Sequence, residues 1–245
     1  MMPECRHHVE RALALLNSGA DGDPQCEMQL HAALGMSLNY TTGPVSTTGA
    51  AWTRTLDIAK SLDNTEYQLR AFRGLWAHHM NAAEYRRALG FAQEFRGLAA
   101  VSADPTDLVF GDRMAALMLH YLGDQEGARR YLQHGRVSAA VRQSPTSRFL
   151  LDRDVTVQAL LARILWLQGF PDEAAHTARS GVDRALAIGH ARSLCHALGQ
   201  AACPVAHFIG DLAWVEDSVA ILLAMPESEV SPAGLHVAIV SWVWR

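Results

Sequence analysis

Residues 165–174 read Leu165-Trp166-Leu167-Gln168-Gly169-Phe170-Pro171-Asp172-Glu173-Ala174. An apolar run ends at Gly169, a residue that can take the left-handed conformation closing a helix at little steric cost. Pro171 then suits the first turn of a new helix, where no N–H is needed and its φ is already helical. Asp172 and Glu173 put negative charge at the positive end of the new helix dipole. Ala174 is small enough to let two helix backbones approach. The stretch spells helix, tight turn, helix.

The same spelling recurs outward from it. Leu122-Gly123-Asp124 leads to Ala128, and Ile209-Gly210-Asp211 leads to Ala213. Met80-Asn81 leads to Tyr85 and Ala88, and Tyr40 with Thr42-Gly43-Pro44 leads to Ala50 and Trp52. The markers Gly43, Asn81, Gly123, Gly169 and Gly210 are spaced by 38, 42, 46 and 41 residues. A period near 40 fits stacked antiparallel helix pairs, in which each pair buries the face its neighbour cannot cover alone. The fold class expected is all-α, a right-handed α-solenoid of about five to six helix pairs.

Periodicity and caps place the helices at 4–17, 24–40, 46–62, 65–80, 83–101, 105–122, 124–141, 152–168, 172–188, 190–209, 211–225 and 232–244. Leu69, Phe72, Trp76 and His79 recur at three and four residues, as do Ala174, Ala178, Val182, Ala185 and Leu186. Asp23-Pro24 and Asp104-Pro105 read as an N-cap followed by proline. Thr65 with Gln68 matches a capping box. Residues 142–151, with Ser144-Pro145-Thr146-Ser147, read as the one long, mobile connection. Three regions are expected: a leading helix in 1–22 left over from a preceding repeat, repeats over 23–230, and a truncated terminal helix in 231–245. Both ends read as cut, which implies a longer array or a capping partner.

Composition excludes several function classes. Of 245 residues 49% are hydrophobic, enough for a large core and too many for a disordered chain. The net charge of −4 leaves no basic footprint for direct nucleic-acid binding. No run of 18 uncharged apolar residues predicts a membrane span. The start, Met1 to Arg11, lacks the apolar core of a signal peptide. Cys5, Cys26, Cys195 and Cys203 show no secreted framework spacing, so free thiols in a reducing cytoplasm are expected. Lys60 is the only lysine, and no glycine loop precedes it, so a phosphate-binding loop of the Walker type is excluded.

No reading of the side chains yields a catalytic centre or a cofactor site. Cys195, His196, Cys203 and His207 are the best metal candidates, but His196 to Cys203 spans seven residues and Pro204 disturbs the helix between Cys203 and His207. A buried thiol pair with histidines at its edge is the expected arrangement. His78-His79 and His7-His8 are adjacent, so each pair addresses different helix faces. Trp52, Trp76, Trp166 and Trp214 flank the turns and read as packing residues. Arg70, Arg73, Arg113, His120 and Arg163 fall on polar stripes of first helices. Such a stripe can take an acidic peptide or an anionic ligand, although its plainer reading is an ordinary solvated face.

A family resemblance rests on six stretches. They are Met28-Gln29-Leu30-His31-Ala32-Ala33-Leu34-Gly35 with Tyr40-Thr41-Thr42-Gly43-Pro44-Val45, then Gly74-Leu75-Trp76, then Leu119-His120-Tyr121-Leu122-Gly123-Asp124 with Ala128-Arg129, and the decisive stretch 165–174. Together they resemble the tetratricopeptide-like repeat region of large bacterial signalling proteins. In that family the repeats follow an ATPase module, with a winged-helix DNA-binding or class III adenylate cyclase domain as output. The resemblance implies a non-catalytic sensor or interaction region, with a protein partner: the ATPase or output module, or a separate regulator. It also leaves room for self-association through exposed terminal repeats. The alternative function is a small-ligand sensor with the ligand in the repeat groove.

Overall fold

The computed structural model describes residues 2–18, 23–102, 104–134 and 151–225, and among them every regular element is helical. The helices are α1 (Met2–Ser18), α2 (Pro24–Thr41), α3 (Ser46–Ser61), α4 (Thr65–Asn81), α5 (Tyr85–Ala99), α6 (Pro105–Tyr121), α7 (Gln125–His134), α8 (Arg153–Leu167), α9 (Pro171–Ala187), α10 (Ala191–Ala197), α11 (Cys203–Ile209) and α12 (Leu212–Ala224). A π-helical turn, Leu198–Ala202, joins α10 to α11. The expected helix over 232–244, the helical extension to 141 and most of the 142–151 connection lie outside the described residues. The chain divides into two units, 1–124 and 125–245.

The turns close as the sequence predicts, with one shift. Gly43, Gly123, Gly169 and Gly210 all have positive φ. After three of them the 6→1 bond of a Schellman cap forms: Asp124 to Leu119, Phe170 to Leu165 and Asp211 to Ala206. In the second pair the left-handed residue is Ala83 at φ 58°, not Asn81, which ends α4. Glu84 N–H still bonds the His79 carbonyl there. At these five turns the left-handed positions run 43, 83, 123, 169 and 210, a more even spacing of 40, 40, 46 and 41, with Asp63 and Gly189 left-handed at turns between them. An alanine at that position carries a steric cost of about 1–2 kcal/mol that glycine avoids. Ala83→Gly is therefore expected to stabilise the protein by about 1 kcal/mol, read as a higher urea midpoint. No change, or a loss, would show that another contact holds Ala83 in place.

Helix starts are capped by short acceptors. Asp23 accepts from Gln25 N–H at 3.0 Å and Asp104 from Thr106 N–H at 2.8 Å, each before a proline. The cap of α4 lies one residue before the expected box. Asn64 accepts from Tyr67 N–H at 3.0 Å, and Gln68 reaches the Ala59 carbonyl instead of closing on Thr65.

In the first unit each helix from α1 to α6 packs on its neighbour in sequence, and α2 also touches α4. The wedge is Trp52, 4% exposed on α3. Its indole lies against Gly35 of α2 and Gly74 of α4, where an added Cβ would meet the ring at under 3 Å. Backbone approach at those two glycines lets a tryptophan fill the seam of three helices. At the next junction Gly111 of α6 meets Phe95 and Arg96 of α5 equally closely.

In the second unit α8 packs on α9, and α10, the π turn and α11 pack on both. Pro204 cannot donate the helical bond of the preceding turn, and the π widening at Leu198–Ala202 lies immediately before it. Cys195 and Cys203 are fully buried on either side of that turn, among Leu198, Ala202, Val215, Val219 and Leu222. Both are free thiols. Burial pushes the Cys203 thiol up to about 11, despite its bond with Ser218. Among the described residues no three His, Cys, Asp or Glu side chains form a metal-binding group.

The start of α8 is tied down by a polar latch. Asp152 caps it through Val155 N–H at 3.0 Å and accepts from Arg184 Nε at 2.9 Å. Its own N–H donates to Ser193 Oγ at 2.8 Å, and that hydroxyl lies 2.7 Å from His190 Nδ1. Burial alone would raise the Asp152 carboxyl, but the bonds from Arg184 and Val155 outweigh it and hold it below the usual aspartate range. A depressed native pKa contributes stability above the unfolded value of about 3.9, and that contribution is lost as pH falls through the native value. Asp152→Asn should therefore flatten the fall of stability below about pH 4. The check is urea midpoints from pH 6 to pH 2; parallel curves for the two proteins would refute it.

Candidate functional site

The polar stripes predicted on first helices converge at one place in the first unit. Arg73 on α4 and Arg113 on α6 both lie over the ring of Phe110, with guanidinium carbons 5.0 and 4.7 Å from its centre. Phe110 sits one helical turn before Arg113, so both project from the same face of α6. The ring is half-buried and is held from behind by Phe95, 5.7 Å away between centroids. Phe95 itself is buried. A flat, anchored aromatic thus carries two cations. Each cation–π contact is worth about 0.5–2 kcal/mol and fixes a side chain that would otherwise roam.

The electrostatics follow from the distances. The two guanidiniums are no more than about 10 Å apart, comparable to the Debye length of about 8 Å in physiological salt. Their fields overlap, and an anion placed between them is attracted by both. Guanidinium presents a planar fork of donors that matches carboxylate or phosphate oxygens.

The other three candidates are placed differently. Arg70 bonds Glu66 at 2.6 Å one turn away and lies over Tyr67 at 4.8 Å, with its side chain about half exposed. It neighbours Arg73 on α4 but does not reach Phe110. His120 is 6% exposed with its ring against Tyr121, so it is buried and offers no open binding surface. Arg163 belongs to the second unit and donates to Gln200 at 3.2 Å. Of the five, the structure brings together Arg73 and Arg113 alone, through a phenylalanine that was not among the candidates. The signal for Phe110 was present in its spacing of three from Arg113, but a phenylalanine at helical spacing reads as core.

The tryptophans and the His78-His79 pair are packing residues, whereas His7 and His8 are exposed. Trp166 stacks on Phe208 at 4.2 Å, and Trp214 lies under Arg179 at 4.3 Å. His79 stacks on Phe91 of α5 and bonds Glu84 at 2.7 Å. His78 turns instead to Gly49 of α3, and burial, reinforced by the neighbouring His79, lowers its pKa.

No protein-family model matches the sequence, and no curated protein does. Solved structures do. The chain is similar to the apo form of RapI, with a TM-score of 0.72 at 12% identity, over 88% of this chain and 75% of that one. It is similar to the Rap conjugation gene regulator of plasmid pLS20, solved with the Phr* peptide, with a TM-score of 0.66 at 16% identity, over 89% of this chain and 57% of the other. A signal transduction ATPase with a tetratricopeptide repeat sensor from Pyrococcus horikoshii matches with a TM-score of 0.62 at 13% identity. That match spans 96% of this chain and 40% of the ATPase. At such identities the likeness establishes the fold: all-α, of the tetratricopeptide-like repeat class. No helix among the described residues is long and apolar enough to cross a membrane.

Proposed function

We propose that this chain is the non-catalytic interaction or sensor region of a bacterial regulatory protein, and that Arg73, Phe110 and Arg113 hold an anionic segment of its partner. The carrying observation is the anchored ring beneath two guanidiniums, a site with charge, shape and rigidity in one place. Two of the similar structures are Rap proteins, one solved with a peptide, and a third is an ATPase whose repeats are its sensor. These likenesses support a peptide or protein as the bound species. They equally suit the expected setting, a cytoplasmic regulator whose output is transcriptional or a cyclase. Arg70 extends the basic surface along α4, whereas His120 and Arg163 act through packing and through Gln200 within their own units.

The test uses a fluorescein-labelled peptide with two glutamates flanking an aromatic residue. Arg73→Ala and Arg113→Ala should each weaken its binding about tenfold, equivalent to about 1.4 kcal/mol. Arg70→Ala should cost less, because that side chain lies over Tyr67, is about half exposed and does not share the Phe110 ring. Binding should also fall with added salt. Unchanged affinity in the Arg73→Ala/Arg113→Ala double variant would sink the reading. The small-ligand alternative places a free dicarboxylate or phosphate on the same two guanidiniums. A thermal shift with those compounds and none with the peptide would favour it.

A further inference from the structure

Two histidines border α3, one from each of the helices packed against it. His31 of α2 lies beside the bridge that ties α2 to α3. There Glu27 Oε1 takes Arg54 at 2.7 Å and stands 3.8 Å from His31 Nε2. His78 of α4 meets α3 at Gly49, where an added Cβ would come within 2.8 Å of its Nε2. In both rings Nδ1 is buried and has no hydrogen-bond partner among the described residues.

Neither ring has a carboxylate to itself. Glu27 already holds Arg54. His78 stands edge-on to His79, 4.9 Å between centroids, and Glu84 beyond it is engaged by His79 at 2.7 Å and Arg87 at 3.3 Å. The charged and titratable groups acting on the two rings are thus Glu27 and Arg54 at His31, and His79 and Glu84 at His78. An imidazolium carries N–H on both nitrogens. Charging either ring puts a donor at a sealed position, and a cation beside a carboxylate that already has one. Burial is the largest influence on both rings and holds each pKa below the ordinary histidine value. The unfolded chain therefore takes up these protons more readily than the folded one. The stability they contribute is whole above the unfolded value of about 6.5, and it is lost as pH falls from there through the native value.

We propose that His31 and His78 form an acid-responsive switch on the seating of α3 between α2 and α4, and that charging them releases the anionic segment held by Arg73, Phe110 and Arg113. The release rests on the function proposed above, and it runs through α4. Gly74, next to Arg73, lies on the Trp52 indole of α3, and His78 follows one helical turn later. With both rings neutral, that seam seats α4 and so fixes where Arg73 projects over Phe110 of α6. With both charged, α3 loosens from its neighbours and Arg73 loses its fixed place above the ring. Histidine is the side chain whose ordinary titration falls between about pH 5 and pH 8. The switch therefore acts where the carboxylates of a bound segment stay ionised and the arginines stay charged.

The test compares the native chain with the double variant His31→Gln/His78→Gln at about pH 7.5 and pH 5.5. Glutamine is neutral at both and removes the sealed ring nitrogen. The urea midpoint of the native chain should be lower at the acid pH, and that of the variant should change much less. The Kd of the fluorescein-labelled acidic peptide should rise about tenfold for the native chain and less than about twofold for the variant. Histidine NMR gives a readout without substitution: the His31 and His78 rings should take up their protons at lower pH than free histidine. Midpoints that fall equally in the two proteins, or rings that titrate at or above free histidine, overturn the switch. Midpoints that differ as expected while the native affinity ignores pH overturn its link to the site. A peptide that fails to bind at the higher pH defeats the proposed function instead, and the midpoints and NMR then decide the switch in α3 seating by themselves.

Discussion

Gly74→Ala should destabilise the protein by about 2 kcal/mol, although glycine to alanine within a helix normally gains about 1 kcal/mol. The sign reverses because an added Cβ on α4 runs into the Trp52 indole, and that ring has nowhere to go. Its other side is already against Gly35 of α2, where a Cβ would lie 2.7 Å from the ring. Overpacking of this kind costs about 3 kcal/mol at the upper end of its usual range, which outweighs the helical gain. Removing the wedge itself should cost more: Trp52→Ala is expected to lose about 4 kcal/mol, from lost burial and the cavity left among three helices. Trp52→Phe should be milder, since the indole N–H is buried without a hydrogen-bond partner and nothing is lost with it. The decisive measurement is the double variant. If Trp52 and Gly74 share one space, the cavity left by Trp52→Ala accepts the methyl group that Gly74→Ala adds, and the double variant costs no more than Trp52→Ala alone. Additive losses in urea denaturation would mean that the two positions do not compete for the same volume.

That seam also shows how far a sequence can be read. Helix existence and turn positions are local properties, set by glycine, proline and short polar caps, and they are legible over nearly all the described residues. Ala83 is the instructive miss. Asn81 has the right chemistry for a turn, but the helix runs to it and the left-handed residue falls two positions later, because the Schellman geometry is set by where the 6→1 bond closes. The Thr65 cap slips by one residue to Asn64 for a similar reason, since either side chain is a competent acceptor. The role of Trp52 was legible as packing, yet its partners were not, because Gly35 and Gly74 lie 17 and 22 residues away from it on other helices.

The candidate site divides along the same line. Arg73 and Arg113 each stand out on one helix, from their stripes. Their meeting on Phe110 depends on how α4 and α6 lie across α5, which no local pattern encodes. His120 shares the stripe of Arg113 by spacing, but at its end of α6 that face is covered and the ring is buried, which spacing alone does not encode.

Removing one member of the Arg96–Asp112 pair should cost about 3–5 kcal/mol, whichever member is removed. Arg96 Nε on α5 donates to Asp112 Oδ1 on α6 at 2.6 Å, with the carboxylate 7% exposed and the guanidinium 27%. Truncating Arg96 strands a carboxylate that water barely reaches, and truncating Asp112 takes the counter-charge from a largely buried guanidinium. Asp112→Asn keeps a hydrogen-bond acceptor and should cost less than Asp112→Ala. The apolar pair Arg96→Met/Asp112→Leu should restore most of the loss, because no charge then remains to be desolvated. Urea midpoints that fall as far for the apolar pair as for the single variants would mean that the bond, and not the stranded charge, sets the cost. The pair has a consequence for the proposed site. Asp112 lies between Phe110 and Arg113, and Gly111 beside it presses α6 onto Phe95 and Arg96. The inward residues of that turn fix the angle at which the outward ones emerge. An apolar replacement that restores stability should therefore also restore binding of the acidic peptide, since it keeps α6 seated on α5. Stability recovered without binding would show that Asp112 contributes to the site electrostatically as well as through the packing of its helix.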